Sequence, residues 1–326
     1  MSISTFGGPT GQGLLGQYGL GGVTGSSYGD MVERTYRHLM ANQREVVVKL
    51  NPGYVQGSGQ MTLVGPGINT IGPGSLLAVE WSVYRVDQWN PTPSNTGGAA
   101  AVTCVQGSTD LVHPQNSDVY VNPKYTRWDI AVSLNDSLNS LSSPGNGLFA
   151  VGTTTLTYNP AFMGYDLAAV PFNFNGVIEL TYDIASPSRN FPAIRKFKIV
   201  RGVSNAKLPS GRGIILYQSA WPGLNINFTY SYPFANLINP SDDAIMVAGL
   251  PPTAIDIPGM QTEIDLTIAR EIKRNFIEAQ PDPRKAQDVV SGGMLNATNK
   301  LEMRLEQRIS EEADRLAVMW PSRRPV

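Results

Sequence analysis

Charged side chains are segregated along this chain. From Pro251 to Val326 the sequence carries 11 Lys/Arg and 12 Asp/Glu, and the 250 residues before it share the rest of a total of 25 Lys/Arg and 26 Asp/Glu. That weakly charged stretch also holds most of the 33 Gly and 24 Pro. Long solvent-exposed helices need charged outer faces and few turn-formers, so this composition suits short strands joined by tight turns. The charge-laced end suits helices with solvated outer faces.

Composition excludes several classes. A chain that is 41% hydrophobic with a net charge of −1 buries enough apolar surface to fold. One cysteine, Cys104, makes neither an internal disulfide nor a Cys-based zinc site. Two histidines, His38 and His113, leave little for a His-ligated metal or a proton relay. No run of about 18 apolar residues exists, so no membrane contact is expected. Residues 1–29 lack the charged and apolar regions of a secretory signal. Near-zero net charge argues against a dedicated nucleic-acid binder but allows a local basic patch.

The spacing predicts an α+β chain with a helical bundle core, its helices near 30–43, 126–143, 262–279 and 299–319. Asp30 with Glu33, Thr126 with Asp129, and Asn299 with Glu302 have capping-box spacing. Ile130, Leu134, Leu138 and Leu141 form one apolar stripe, and Leu301, Leu305, Ile309, Ala313 and Leu316 form another. Two antiparallel β insertions are expected between the helices. One is a small barrel or sandwich near 45–125, in which Ser75 to Val86 (SLLAVEWSVYRV) reads as a single long strand. The other is a β-sandwich near 148–236. The organisation is then a Gly-rich arm (1–29), a helical core (30–43, 126–143 and 242–320), the two insertions, and a C-terminal tail (321–326). The arm reads as flexible, or as a segment ordered against a neighbouring subunit through Leu14, Leu15, Tyr18 and Leu20.

Chemical motifs are scarce. There is no Walker A sequence, no GxSxG and no HExxH. Asp242-Asp243 reads as a cap for the following segment in preference to an acid–base pair. Cys104 reads as a buried thiol in a strand. Aromatic residues crowd 172–234 and suit a sandwich core, with a sugar-binding platform as the alternative. No catalytic, cofactor or metal site is expected, and the function classes that remain are structural or interaction protein.

The stretch from Leu250 to Trp320 contains LPPTAIDIP, then REIKR, then QPDPR, then a Gly-containing loop, then EEADRL before Trp320-Pro321. With RTYRHL (Arg34–Leu39), PGSLLAVE (Pro73–Glu80), the Asn122–Phe149 block beginning NPKYTRWDIAVSL, and GYDL (Gly164–Leu167), it resembles the head-to-tail adaptor proteins in the neck of long-tailed phages infecting actinobacteria. The resemblance implies a virion structural protein, made in the host cytoplasm and located between capsid vertex and tail. Such a protein forms a ring, usually of twelve copies, under the portal. Its partners are the portal protein, the stopper or tail terminator, its own copies, and double-stranded genomic DNA passing non-specifically. It implies portal docking through Trp320, Arg323 and Arg324, and a channel face carrying Arg270, Lys273 and Arg274. Alternatives are another neck or tail part (stopper, tail terminator or minor tail protein), or a carbohydrate- or receptor-binding β module.

Overall fold

The computed structural model describes residues 26–40, 45–92, 96–143, 145–159, 164–183, 193–202, 206–217, 224–279 and 293–321, with side chains from 269 to 297 outside the description. The chain divides into two compact units. The first runs to Ser137 and adds Leu237–Ala244 and Asp256–Glu302; the second takes Leu138–Asn236, Ile245–Ile255 and the chain from Met303.

In the first unit, helix α1 (Tyr28–Met40) leads into six strands: β1 (Val46–Leu50), β2 (Gln60–Val64), β3 (Leu76–Val79), β4 (Ser82–Pro91), β5 (Gly97–Cys104) and β6 (Asp118–Val121). They close into a barrel of order β1–β2–β5–β4–β3–β6, with every neighbouring pair antiparallel. Alternation sends Leu50, Leu63, Leu77, Val79, Tyr84 and Val119 inward, each fully buried. A barrel this small is filled by its side chains, and closure leaves it no edge strand.

The predicted long strand Ser75–Val86 is two strands. Val79 pairs with Ser82, and the turn between them places Glu80 at φ 51. Positive φ is uncommon for a non-Gly residue, and two-residue hairpins favour Asn-Gly or Asp-Gly at such a turn, so Glu-Trp carried no turn signal.

Helix α2 (Arg127–Leu141) opens with the anticipated capping box: the Asp129 N–H donates to Thr126 Oγ1 (2.9 Å), and the Thr126 N–H reaches Asp129 Oδ2 (3.3 Å). All four residues of its predicted stripe are 0% exposed. The cap of α1 lies earlier than the spacing suggested. Ser27 Oγ accepts the Asp30 N–H (3.1 Å), so Asp30 sits inside the first turn.

In the second unit, β7 (Ala150–Leu156), β12 (Ile226–Tyr232) and β9 (Gly176–Tyr182) form one sheet. The other holds β10 (Phe197–Arg201), β11 (Arg212–Leu216) and β8 (Gly164–Asp166). Side chains of both sheets, among them Phe228, Ile226, Ile214 and Phe197, share one buried cluster. Gly152 on β7 pairs with Tyr230, whose ring covers it so closely that a Cβ would lie 2.6 Å from the ring.

Helices α3 (Ile257–Ala279) and α4 (Gly293–Met319) complete the described elements. In the second unit, Arg308 on α4 donates to the Thr253 carbonyl (2.8 Å), and the Thr253 hydroxyl donates to Glu312 (2.8 Å).

A helical bundle core is not what forms. The core is the interior of the closed six-strand antiparallel barrel and the sheet-to-sheet cluster. The expected seam of α4 shows why. Leu301 is 39% exposed, Leu305, Ile309 and Ala313 are half-buried, and only Leu316 of the five is buried. Helical periodicity reports a face, not its partner, and the two β clusters hold most of the large buried side chains.

Candidate functional site

Three elements of the first unit meet at Arg127, the first residue of α2. Its guanidinium forms an ion pair with Glu33 of α1, and the two side chains are 11% and 6% exposed. Tyr36 of α1 and Tyr120 of β6 lie against the guanidinium at 4.5 and 5.0 Å. Arg is suited to this position, since a flat cation stacks on rings while its fork engages a carboxylate. Burial alone would lower the Arg127 pKa, but the Glu33 carboxylate more than offsets it and the net shift is upward, so the group stays charged.

The surroundings extend this junction. Tyr36 Oη donates to Glu45. Burial, then that hydrogen bond, pushes the Tyr36 phenol well above its usual range. At the tip of the β3–β4 hairpin, burial raises the Glu80 carboxyl, and the Arg127 charge opposes it. Tyr28 Oη donates to the Ala131 carbonyl (2.5 Å), and its ring lies 5.3 Å from that of Trp81. On the other side of α1, His38 Nδ1 lies 2.7 Å from Glu263 Oε1 on α3. A groove of about 410 Å³ follows the outer side of α2, with Trp128, Val132 and Leu266 as its apolar part and Asp129 and Asp136 beside them.

A second polar group occupies the barrel. Tyr84 Oη donates to Asp110 Oδ1 (2.8 Å) and lies 3.4 Å from His113 Nε2. Burial drives the His113 pKa down to about 4, with Asp110 pulling the other way, and burial pushes the Tyr84 phenol up. Both groups are therefore neutral near pH 7. The His113 backbone is held by Tyr54: the two residues exchange N–H···O bonds of 2.8 and 3.0 Å as a bridge outside the named strands.

The anticipated residues fall as follows. Arg270, Lys273 and Arg274 belong to α3, and their side chains lie outside the described residues. Trp320 is half-buried just past α4, its N–H bonded to the Leu316 carbonyl (2.7 Å), while Arg323 and Arg324 lie outside the described residues. Cys104 is half-buried, with Sγ 3.2 Å from Ser108 Oγ. Asp242 caps the turn behind it by accepting the Ile238 and Asn239 N–H groups, both at 2.8 Å. Among the described residues, no group of three His, Cys, Asp or Glu is placed to hold a metal ion.

The Arg127–Glu33 pair was missed in the sequence because the spacing of Asp30 and Glu33 assigned Glu33 to a cap. With Ser27 as the cap, that carboxylate is available to Arg127. Compared with known proteins, the chain matches no family model and no curated protein.

Proposed function

We propose that this protein is a structural component of a phage virion. On this reading it is a head-to-tail adaptor that forms a ring, of twelve copies, under the portal and joins capsid to tail around a DNA channel. The observation that carries the reading is that residues from four of the five stretches bearing the resemblance meet around helix α1, while GYDL lies in the second unit. Tyr36 and His38 come from RTYRHL, Glu80 ends PGSLLAVE, Arg127 belongs to NPKYTRWDIAVSL, and Glu263 lies in the Leu250–Trp320 stretch. Segments far apart in sequence thus meet on two sides of α1, at Arg127 and at Glu263. No helix among the described residues is long and apolar enough to cross a membrane.

In this role the protein couples parts mechanically and is not an enzyme. On this reading Arg270, Lys273 and Arg274 make the sliding, sequence-independent phosphate contacts in the channel. Trp320, Arg323 and Arg324 supply an aromatic anchor and two cations for the portal, with the stopper or tail terminator on the opposite side. Of the aromatics that suggested a sugar platform, Phe174, Tyr182, Phe197, Phe228 and Tyr230 are packed into the core, while Phe172 and Tyr217 are 82% and 59% exposed. Phe191 and Trp221 lie outside the described residues.

Removing residues 321–326 tests the docking assignment. The shortened protein keeps its melting temperature but no longer binds portal particles in a co-sedimentation assay. Undiminished binding would overturn the docking assignment.

A further inference from the structure

Among the described residues the sandwich of the second unit has four lateral strand edges, and three are closed or guarded. Beyond β9, Thr181 bridges Ala193 and the Ile194 N–H donates to the Leu180 carbonyl (2.8 Å). The strand β8 is only three residues long. The strand β10 carries exposed Lys198 and Arg201. Short strands and edge charges are the usual means of preventing edge-to-edge pairing.

The remaining edge has neither protection. Strand β7 is seven residues, AVGTTTL, with no charge and no proline. Among the described residues it pairs with β12 alone, so one row of its N–H and C=O groups has no strand opposite. Thr153 and Thr155 are exposed, and their hydroxyls bond across to Thr229 (3.3 Å) and Asn227 (3.1 Å) on the same sheet.

We propose that β7 receives a fourth strand from a second copy of this chain, and that the donor is that copy's N-terminal segment, residues 1–25. Backbone pairing supplies the attachment, as in other strand additions to an open sheet edge. Charge selects the donor: those residues contain no Lys, Arg, Asp or Glu, which matches an uncharged acceptor edge. They include the strand-compatible run Ser2-Ile3-Ser4-Thr5-Phe6. At ~3.3 Å per extended residue the segment spans roughly 80 Å, enough to reach another molecule.

Amide hydrogen exchange of the 150–156 segment, together with native mass, tests this on the full-length protein and on a variant lacking residues 1–25. The full-length protein should be oligomeric, with β7 exchanging at least tenfold more slowly than in the deletion variant. A synthetic peptide of residues 1–25 added to the variant should restore the protection. Equal exchange in both proteins would overturn the inference. Protection that depends on the segment in a full-length protein of monomeric mass would also overturn it, because the donor would then be the same chain. The inference and the adaptor reading can fail separately. A ring whose β7 exchange ignores the deletion removes only the inference, and a segment-dependent dimer without a pore removes only the ring.

Discussion

Arg127 and Glu33, 94 residues apart in sequence, form a buried ion pair between the first turn of α2 and the middle of α1. Two tyrosine rings pack against the guanidinium, so the pair is cut off from water on several sides. Removing one partner strands the other charge. Glu33→Ala should therefore cost about 3–5 kcal/mol in urea unfolding of the first unit, while Glu33→Leu combined with Arg127→Met should recover most of it. If Glu33→Ala leaves the midpoint unchanged, the pair does not join the helices.

Gly152 lies beneath the Tyr230 ring, and a side chain there meets that ring at 2.6 Å. Gly152→Val should destabilise the second unit by at least ~1–3 kcal/mol, the usual cost of overpacking. Thermal unfolding followed by tyrosine fluorescence reads the change. A wild-type melting curve would mean that Tyr230 does not cover the glycine.

The His113 ring is buried, and its folded pKa of about 4 lies below the ordinary 6.5. The unfolded chain takes up a proton at higher pH than the folded one does. Stability should thus be full above about pH 6.5, fall between pH 6.5 and 4, and change no further from this group below pH 4. At ~1.36 kcal/mol per pKa unit the loss is at most about 3 kcal/mol. The Asp110 carboxyl, lowered by hydrogen bonds from Tyr84 and Gly57 that outweigh its burial, adds a further loss as pH falls below its ordinary 3.8. Denaturant midpoints across this range check the sign, and in His113→Gln the drop between pH 6.5 and 4 should disappear.

Burial along α4 separates two leucines of one predicted stripe. Leu316→Ala should cost about 2–3 kcal/mol, and Leu305→Ala under ~1 kcal/mol, since Leu316 is 5% exposed and Leu305 only half-buried. Equal losses in chemical denaturation would restore the continuous seam that periodicity suggested.

Local order was legible in the residues. The Thr126–Asp129 box and the +4, +4, +3 stripe located α2, and turn-rich composition located the two β regions. Three features were not. The β3–β4 turn is made by Glu80 in a conformation its side chain does not advertise. The three-residue strand β8 is too short to show a period. Which elements form the core depends on closure of β1 against β6, a pairing between segments some seventy residues apart that no local pattern encodes. The same limit hid the site: Glu33 looked like a cap because its spacing from Asp30 was visible and its distance from Arg127 was not.

Electron microscopy of the purified full-length protein bears most directly on the adaptor reading. The account predicts closed rings of identical copies around a hole wide enough for duplex DNA, and their loss when lateral contacts are disrupted. Isolated monomers, or trimers that bind glycans, would contradict it.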